Sequence, residues 1–178
     1  MIKNSNNLEY LVGNKKINKL SMQPFSEVLC DFLADLSEEL NLISKLKKYP
    51  DIKTLAFWCR KKNIYKLKKI FSSEETRLGV GLIFHITPSN IPTNFAYSLI
   101  FGLITGNSNI VKIPSKKFEQ IEIICKCINK ILKKKHKQVS KMISIVRYSE
   151  NDYYTKKISS ICNARIIWGG DKIGITTV

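Results

Sequence analysis

Apolar residues recur at helical spacing through the first part of the chain. The positions that set this spacing are Phe25, Leu29, Phe32, Leu33, Leu36 and Leu40. They return every three or four residues, which is the repeat of one helix face. Pro50 interrupts the pattern, and further helices are expected over Ile52–Lys62 and Tyr65–Phe71. We therefore predict a helical N-terminal segment over residues 1–75.

From Arg77 onward, short apolar runs alternate with longer stretches of helical pattern, of which Asn94–Ile104 is apolar almost all round. Val80–Ile86 is an almost continuous apolar run, which is typical of a strand buried on both faces. The pattern predicts strands at Val80–Ile86, Asn109–Ile113, Met142–Val146 and Ala164–Trp168, with helices over Asn94–Ile104, Lys116–Lys134 and Glu150–Cys162. Such alternation favours βαβ units around a parallel sheet. We predict an α/β fold with an incomplete Rossmann-like sheet, a partial nucleotide-binding domain over residues 76–178.

The turns that follow the predicted strands are the candidate ligand site. In an open parallel sheet, ligands bind beyond the carboxyl ends of the strands. Three turns have this position: Thr87–Pro92, Pro114–Lys116 and Gly169–Lys172. Because parallel strands end at the same edge of a sheet, we expect the three turns to lie close together.

The first turn, TPSNIP, carries an asparagine between two prolines. Pro88 and Pro92 restrict the local backbone, so the amide of Asn90 is held in a defined place. Such an amide can donate to a developing oxyanion. It can equally satisfy backbone groups of its own loop. The pattern alone leaves both roles open for Asn90, while Thr87 and Pro88 are candidate cofactor-binding residues.

The other two turns offer groups suited to phosphate or ribose. Lys112 lies near a strand end, and Ser115 is expected at the start of the helix over Lys116–Lys134, where free backbone N–H groups favour an anion. Gly169 and Gly170 allow close backbone approach to a phosphate. Each signal also has an ordinary structural reading: an exposed strand-end lysine, a helix cap and a common strand-to-helix turn.

The histidines and cysteines do not form a metal or catalytic cluster in the sequence. His85 lies within an apolar strand and is expected to be a hydrogen-bonded core residue, whereas His136 lies among lysines and is expected to face solvent. The five cysteines are Cys30, Cys59, Cys125, Cys127 and Cys162. Their apolar helical surroundings favour small buried hydrophobes. No metal site is predicted, because no second Cys or His pair stands at zinc spacing.

The chain is strongly basic, with a formal net charge of +16. A lysine-rich solvated surface is the favoured explanation, since the lysines are spread along the chain without an RNA-recognition, KH or zinc-finger pattern. A basic nucleic-acid-binding or anionic-membrane surface is the alternative. No apolar run reaches the roughly 18 residues of a membrane span. The N-terminus is polar and lacks the apolar core of a signal peptide, so we expect a cytoplasmic protein.

The long stretch from Arg77 to Lys116, RLGVGLIFHITPSNIPTNFAYSLIFGLITGNSNIVKIPSK, resembles the LuxC-type long-chain acyl-CoA reductases. Two flanking stretches, YPDIKTLAFWCRKKN (Tyr49–Asn63) and ARIIWGGDK (Ala164–Lys172), resemble the same family. That family is similar to aldehyde dehydrogenases in fold and reaction. The resemblance implies a sheet of the aldehyde dehydrogenase type in this chain.

The resemblance also implies a reaction and its participants. A fatty acyl thioester would be reduced to an aldehyde by NADPH, after attack by a cysteine thiolate that releases CoA or another thiol carrier. Asn90 matches the oxyanion asparagine, Lys112 and Ser115 match positions that hold the adenosine ribose or its phosphate, and Gly169 and Gly170 match the turn beside the pyrophosphate. The implied partners are acyl-CoA or an acyl-protein thioester, and acyl-transferring or synthetase proteins. No nucleic acid is implied, and the complete enzyme is expected to be a homo-oligomer.

The sequence departs from the family's pattern at the nucleophilic cysteine. In the family, the nucleophilic cysteine follows the nucleotide-binding motifs in a separate catalytic domain, and none of the five cysteines matches it. We therefore expect a truncated portion that lacks the catalytic domain and reductase activity. A non-catalytic nucleotide-binding or interaction module is the alternative, and a nucleic-acid-binding protein is a third. NADPH saturation with little salt dependence would favour nucleotide binding, and steep salt dependence with RNA would favour nucleic acid.

Overall fold

A computed structural model describes residues 8–13, 16–44, 46–71, 75–149 and 152–169 of the 178-residue chain. The strands are β1 (Glu9–Val12), β2 (Leu82–Ile86), β3 (Ser108–Ile113), β4 (Ile143–Arg147) and β5 (Ala164–Ile167). The helices are α1 (Glu27–Asn41), α2 (Pro50–Trp58), α3 (Lys61–Phe71), α4 (Asn94–Ile104), α5 (Glu119–Lys134), α6 (Lys137–Ser140) and α7 (Asp152–Ser159), with a 3-10 turn at Leu46–Lys48.

The five strands form one sheet in the order β1-β4-β3-β2-β5. The four strands from β4 to β5 are parallel, and β1 is antiparallel to β4. The four predicted strands and the alternating helices between them are present. The predicted α/β fold with an incomplete, mostly parallel sheet is therefore confirmed.

Apolar side chains cover both faces of the sheet, as a parallel sheet requires. On one face, α1, α2, α4 and α5 share a single core with β3 and β4. On the other face, Ile158 of α7 packs with Leu82, Phe84, Ile110 and Val146. The helices of the N-terminal segment therefore belong to the same core as the sheet. The division of the chain near residue 75 stays a prediction.

The N-terminal segment contains a strand that the sequence did not predict. Tyr10 lies opposite Val146 in the antiparallel pair of β1 and β4. The pair is reinforced by Arg147, whose guanidinium is 3.0 Å from a carboxylate oxygen of Glu9. A four-residue strand with polar neighbours has too short a repeat to be recognised locally. Its conformation depends on a partner more than 130 residues away in the chain, so the expectation of an all-helical segment was wrong here.

The segment before α1 is tied to the amino end of β3. The backbone N–H groups of Leu20 and Met22 donate to Ser108 Oγ at 3.0 Å and to the Gly106 carbonyl at 2.8 Å. Gly106 has φ +86°, and it follows α4 in the left-handed conformation that commonly ends a helix. A glycine adopts this conformation without steric penalty, so Gly106 allows α4 to end where β3 begins.

His136 was expected to face solvent, and this expectation was wrong. Its side chain is buried, with Nε2 2.5 Å from Asp35 Oδ2 and its ring edge-on to Phe32. Burial alone would raise the pKa of Asp35, but hydrogen bonds from Lys135 and His136 outweigh it and hold that pKa below its ordinary value. The neighbouring lysines hid this contact, because α1 approaches from a distant part of the chain.

No helix among the described residues is long and apolar enough to cross a membrane.

Candidate functional site

The carboxyl ends of β2, β3 and β5 lie side by side. Ile86 pairs with Lys112 on one side and with Ile167 on the other. Beyond the pairing, the N–H of Trp168 donates to the Ile86 carbonyl at 3.0 Å, and that of Thr87 donates to the Lys112 carbonyl at 3.3 Å. The three predicted turns therefore begin at one edge of the sheet.

The connectivity makes this edge a candidate ligand site. The chain runs from β2 through α4 to β3, and then from β4 through α7 to β5 on the far side of β2. The strand order therefore reverses between β2 and β5, and α4 and α7 pack on opposite faces of the sheet. Such a reversal opens a crevice beyond the strand ends, where open α/β sheets bind their ligands.

In the first turn, the three candidate residues have different surroundings. Thr87 is buried, and its hydroxyl donates to the Lys112 carbonyl at 2.8 Å. Thr87 therefore joins β2 to β3 at the site, with its hydroxyl hydrogen already used. Pro88 is half-buried and Asn90 is exposed. No hydrogen bond among the described residues involves the Asn90 side chain, so its amide is not held by its own loop there.

In the second turn, Lys112 and Ser115 stand near the strand end. The Lys112 ammonium lies 5.1 Å from the centre of the Tyr148 ring, a cation–π contact that holds it over the end of β4. Ser115 is exposed and precedes α5 by four residues. The expectation that Ser115 starts this helix was wrong, because Phe118 occupies the cap position. Ser115 can offer its hydroxyl, but not a helix N-terminus.

The third turn is described only up to Gly169, which is exposed. Gly170 lies outside the described residues. Trp168 is 39% exposed at the end of β5. Its indole N–H donates to Ser98 Oγ at 2.9 Å, which fixes the ring against α4. The end of β5 is therefore anchored to α4.

Trp168 is the outer member of a buried hydrogen-bond network. Ser98 Oγ is 2.7 Å from His85 Nδ1, and His85 Nε2 is 2.9 Å from Asn109 Oδ1. The Asn109 amide in turn donates to the Asn107 carbonyl at 2.6 Å. His85, Ser98 and Asn109 are 1% exposed or less. The prediction that His85 is a hydrogen-bonded core residue is confirmed.

The directions of these hydrogen bonds form one consistent set. The Asn109 oxygen can only accept, so His85 Nε2 carries the proton and Nδ1 accepts from the Ser98 hydroxyl. Ser98 then accepts from the Trp168 indole. Burial lowers the pKa of His85 to about 4, although the bond to Asn109 favours the charged form. The ring is therefore neutral at pH 7 and fully paired. Sequence reasoning missed Ser98 and Asn109, because only the folded chain brings these polar residues to His85.

Replacing Ser98 tests this network. We expect Ser98→Ala to lower the free energy of unfolding by about 2 kcal/mol, since Trp168 and His85 each lose a buried partner. We also expect Trp168 emission to change, because its ring loses the anchor on α4. Urea unfolding and tryptophan fluorescence measure the two effects. Ser115→Ala, at an exposed serine, should change neither, and an equal effect of both substitutions would contradict the network.

The comparison with known protein families agrees with the resemblance. The family model described as acyl-CoA reductase (LuxC) matches residues 32–176. The chain belongs to this acyl-CoA reductase family. No curated protein and no solved structure matched the chain. The match includes all three turns of the site and the whole buried network, so the edge described above lies within the acyl-CoA reductase portion of the chain.

An acyl-CoA reductase that works through a thiolate needs a cysteine whose pKa is lowered. The five cysteines of this chain have the opposite character. Four are buried and Cys162 is half-buried. Burial raises the pKa of every one, of Cys59 to about 12 and of Cys127 to about 11. The prediction of small buried residues is confirmed for four, and all five thiols are protonated at pH 7.

Proposed function

We propose that this chain provides part of the NADPH-binding edge of an enzyme that reduces fatty acyl thioesters to aldehydes. The observation that carries the proposal is the register at Ile86, which sets the ends of β2, β3 and β5 next to one another in a chain of the acyl-CoA reductase family. The substrate would be an acyl-CoA or an acyl-protein thioester. The complete enzyme would form a homo-oligomer and work with acyl-transferring or synthetase partners in the cytoplasm.

The donor groups at this edge fit the ribose and phosphate of a nicotinamide dinucleotide. Lys112 supplies a half-buried ammonium and Ser115 an exposed hydroxyl, while Gly169 has no side chain to obstruct a pyrophosphate. A cationic group attracts phosphate, and a hydroxyl can donate to phosphate or ribose oxygens. We propose that Lys112 and Ser115 hold the adenosine ribose or its phosphate. Gly169 and Gly170 would lie beside the pyrophosphate, and Thr87 and Pro88 would line the cofactor site. When bound, NADPH supplies the hydride.

Asn90 would serve the acyl group rather than the cofactor. It is exposed and lies between Pro88 and Pro92, in the turn that follows β2. An amide N–H aimed at the thioester carbonyl stabilises the negative charge that develops on oxygen as the carbonyl is attacked. In acyl-transfer enzymes, a donor of this kind lowers the activation free energy by about 3–4 kcal/mol.

The attacking thiolate would not come from this chain. All five of its thiols have raised pKa values, and the four buried ones lie within the core. We therefore propose that the chain alone has no reductase activity. The test is expression of the chain by itself, followed by measurement of aldehyde formed from acyl-CoA and NADPH. Aldehyde formation dependent on NADPH would overturn this part of the proposal.

Binding of the cofactor tests the remaining part. We expect Lys112→Gln to weaken NADPH binding roughly tenfold to a hundredfold, because a hydrogen bond to a charged phosphate contributes about 1.5–3 kcal/mol. Isothermal titration calorimetry measures the dissociation constant. Lys126→Gln is the matched control, since it removes the same charge from an exposed position on α5. Equal weakening by both substitutions would indicate general electrostatic attraction instead.

A further inference from the structure

A second concave site lies on the sheet face that α7 covers. Its cavity has a volume of about 640 Å³, within the range of small-molecule sites. Ile110 and Val146 line it from the sheet, Ile158 and Ile161 line it from the α7 side, and Tyr10 lines it from β1. None of the cofactor candidates at the strand ends lines this cavity. It is therefore a separate place on the molecule.

One polar group within this apolar cavity has no partner. Ser144 of β4 lines the cavity and is 2% exposed, and its hydroxyl makes no hydrogen bond within the part of the chain that the structure describes. Buried hydroxyls are almost always paired, because an unpaired one loses its hydration without compensation. An unpaired hydroxyl lining a cavity of this size is a group that a ligand can satisfy.

The charge at the mouth of the cavity is positive. The Lys157 ammonium donates to the Tyr153 hydroxyl at 3.4 Å, and both residues are exposed there. No aspartate or glutamate is among the described residues that line the cavity. The whole chain carries a formal charge of +16. These charges favour an anionic group at the mouth, with the apolar remainder of the molecule inside.

We propose that this cavity binds a small amphipathic molecule with an apolar body and a single anionic group. The body would pack against Ile110, Val146 and Ile158, and the anionic group would lie beside Lys157. The Ser144 hydroxyl would hydrogen-bond one polar atom, such as a secondary amine, within the otherwise apolar body. The site is distinct from the nucleotide edge, so binding here should persist in the Lys112→Gln variant.

The test uses two dyes that differ in charge. One is 1-anilinonaphthalene-8-sulfonate, which has an aromatic body and a sulfonate, and the other is the uncharged N-phenyl-1-naphthylamine. We expect saturable binding of both to the folded full chain, with a stoichiometry of one. Lys157→Glu should weaken binding of the sulfonate dye at least fivefold and leave binding of the uncharged dye unchanged. Lys156→Glu, the neighbouring exposed lysine that does not line the cavity, should leave both unchanged.

Two substitutions of Ser144 separate a ligand role from a structural one. Ser144→Ala removes the unpaired hydroxyl, so we expect a higher melting temperature together with severalfold weaker dye binding. A purely structural serine would not change these two properties in opposite directions. Ser144→Leu should fill the cavity and abolish binding. If that variant does not fold, Ile161→Trp narrows the cavity from the helix side and should give the same loss.

Three results would overturn the proposal. One is the absence of saturable dye binding by the folded chain. A second is equal weakening of the sulfonate dye by Lys156→Glu and Lys157→Glu, which would indicate attraction to the basic surface in general. The third is unchanged binding of both dyes by Ser144→Ala and Ser144→Leu, which would place the dye elsewhere.

Discussion

Gly102→Ala should destabilise the protein by about 3 kcal/mol or more. A Cβ at this position would lie 1.9 Å from Asn109 Oδ1 and 3.0 Å from His85 Nε2. The added methyl group therefore collides with the atom that accepts the histidine proton. Asn109 must move, and both His85 and Asn109 lose buried hydrogen bonds. A loss of this size is a large share of the roughly 5–15 kcal/mol that stabilises a typical domain.

The sign of this effect makes it informative. Gly102 lies inside α4, where alanine is ordinarily about 1 kcal/mol better than glycine. Helix propensity thus predicts that Gly102→Ala raises the free energy of unfolding, whereas the contact with Asn109 predicts that it lowers this free energy by a larger amount. Urea unfolding of the wild type and Gly102→Ala measures the balance. A stabilised Gly102→Ala variant would show that α4 does not approach β3 as closely as described.

A double substitution provides the control. Asn109→Ala alone removes the partner of His85 and should cost about 2 kcal/mol. Because it also removes the atom with which the new methyl group collides, Gly102→Ala should cost almost nothing more in the Asn109→Ala background. Simple additivity of the two effects would contradict a direct contact between these residues.

Acid should destabilise the protein through His85. Burial lowers the pKa of this ring to about 4, whereas the unfolded chain has a histidine pKa of about 6.5. Below pH 6.5 the unfolded state therefore binds a proton at this histidine, whereas the native state does not bind one until the pH approaches 4. The contribution of His85 to the free energy of unfolding is fully present above about pH 6.5 and declines as the pH falls toward 4. The total decline is about 3 kcal/mol.

His85→Gln isolates this contribution, because carboxylates also titrate in the same range. A glutamine amide can donate toward Asn109 but does not take up a proton. We expect the free energy of unfolding of the wild type to fall more steeply between pH 6.5 and 4 than that of His85→Gln. The two curves should run parallel above pH 7. Parallel curves over the whole range would contradict the buried neutral histidine.

The fold was predictable where the apolar pattern is continuous. The strands at β2 and β3 are short apolar runs, and α4 has the predicted bounds of Asn94–Ile104. The parts that were missed depend on distant partners. The strand β1 forms only through its pairing with β4, and His136 is buried only because α1 supplies Asp35 and Phe32. Local sequence contains no trace of such contacts.

The candidate site was predictable in outline because parallel strands must end at one edge. The roles of its residues were harder to predict from the sequence. Ser115 was expected at a helix start, but α5 begins at Glu119 because the chain makes a further turn after β3. The apolar pattern of Asn94–Ile104 predicts a buried helix that contains Ser98, but it does not predict that Ser98 joins Trp168 to His85. The roles of Asn90, Lys112 and Gly169 in catalysis and cofactor binding stay predictions.

We propose that NADPH binds at the edge formed by β2, β3 and β5, and this binding can be measured directly. Trp168 stands at this edge and is one of two tryptophans, so Trp58→Phe leaves it as the single reporter. The most direct measurement is titration of that variant with NADPH while energy transfer from Trp168 to the dihydronicotinamide is followed. We expect saturable energy transfer that excess NADP⁺ reverses and that persists when the salt concentration is raised. No saturable transfer from the folded variant, or transfer that salt abolishes, would contradict this proposal.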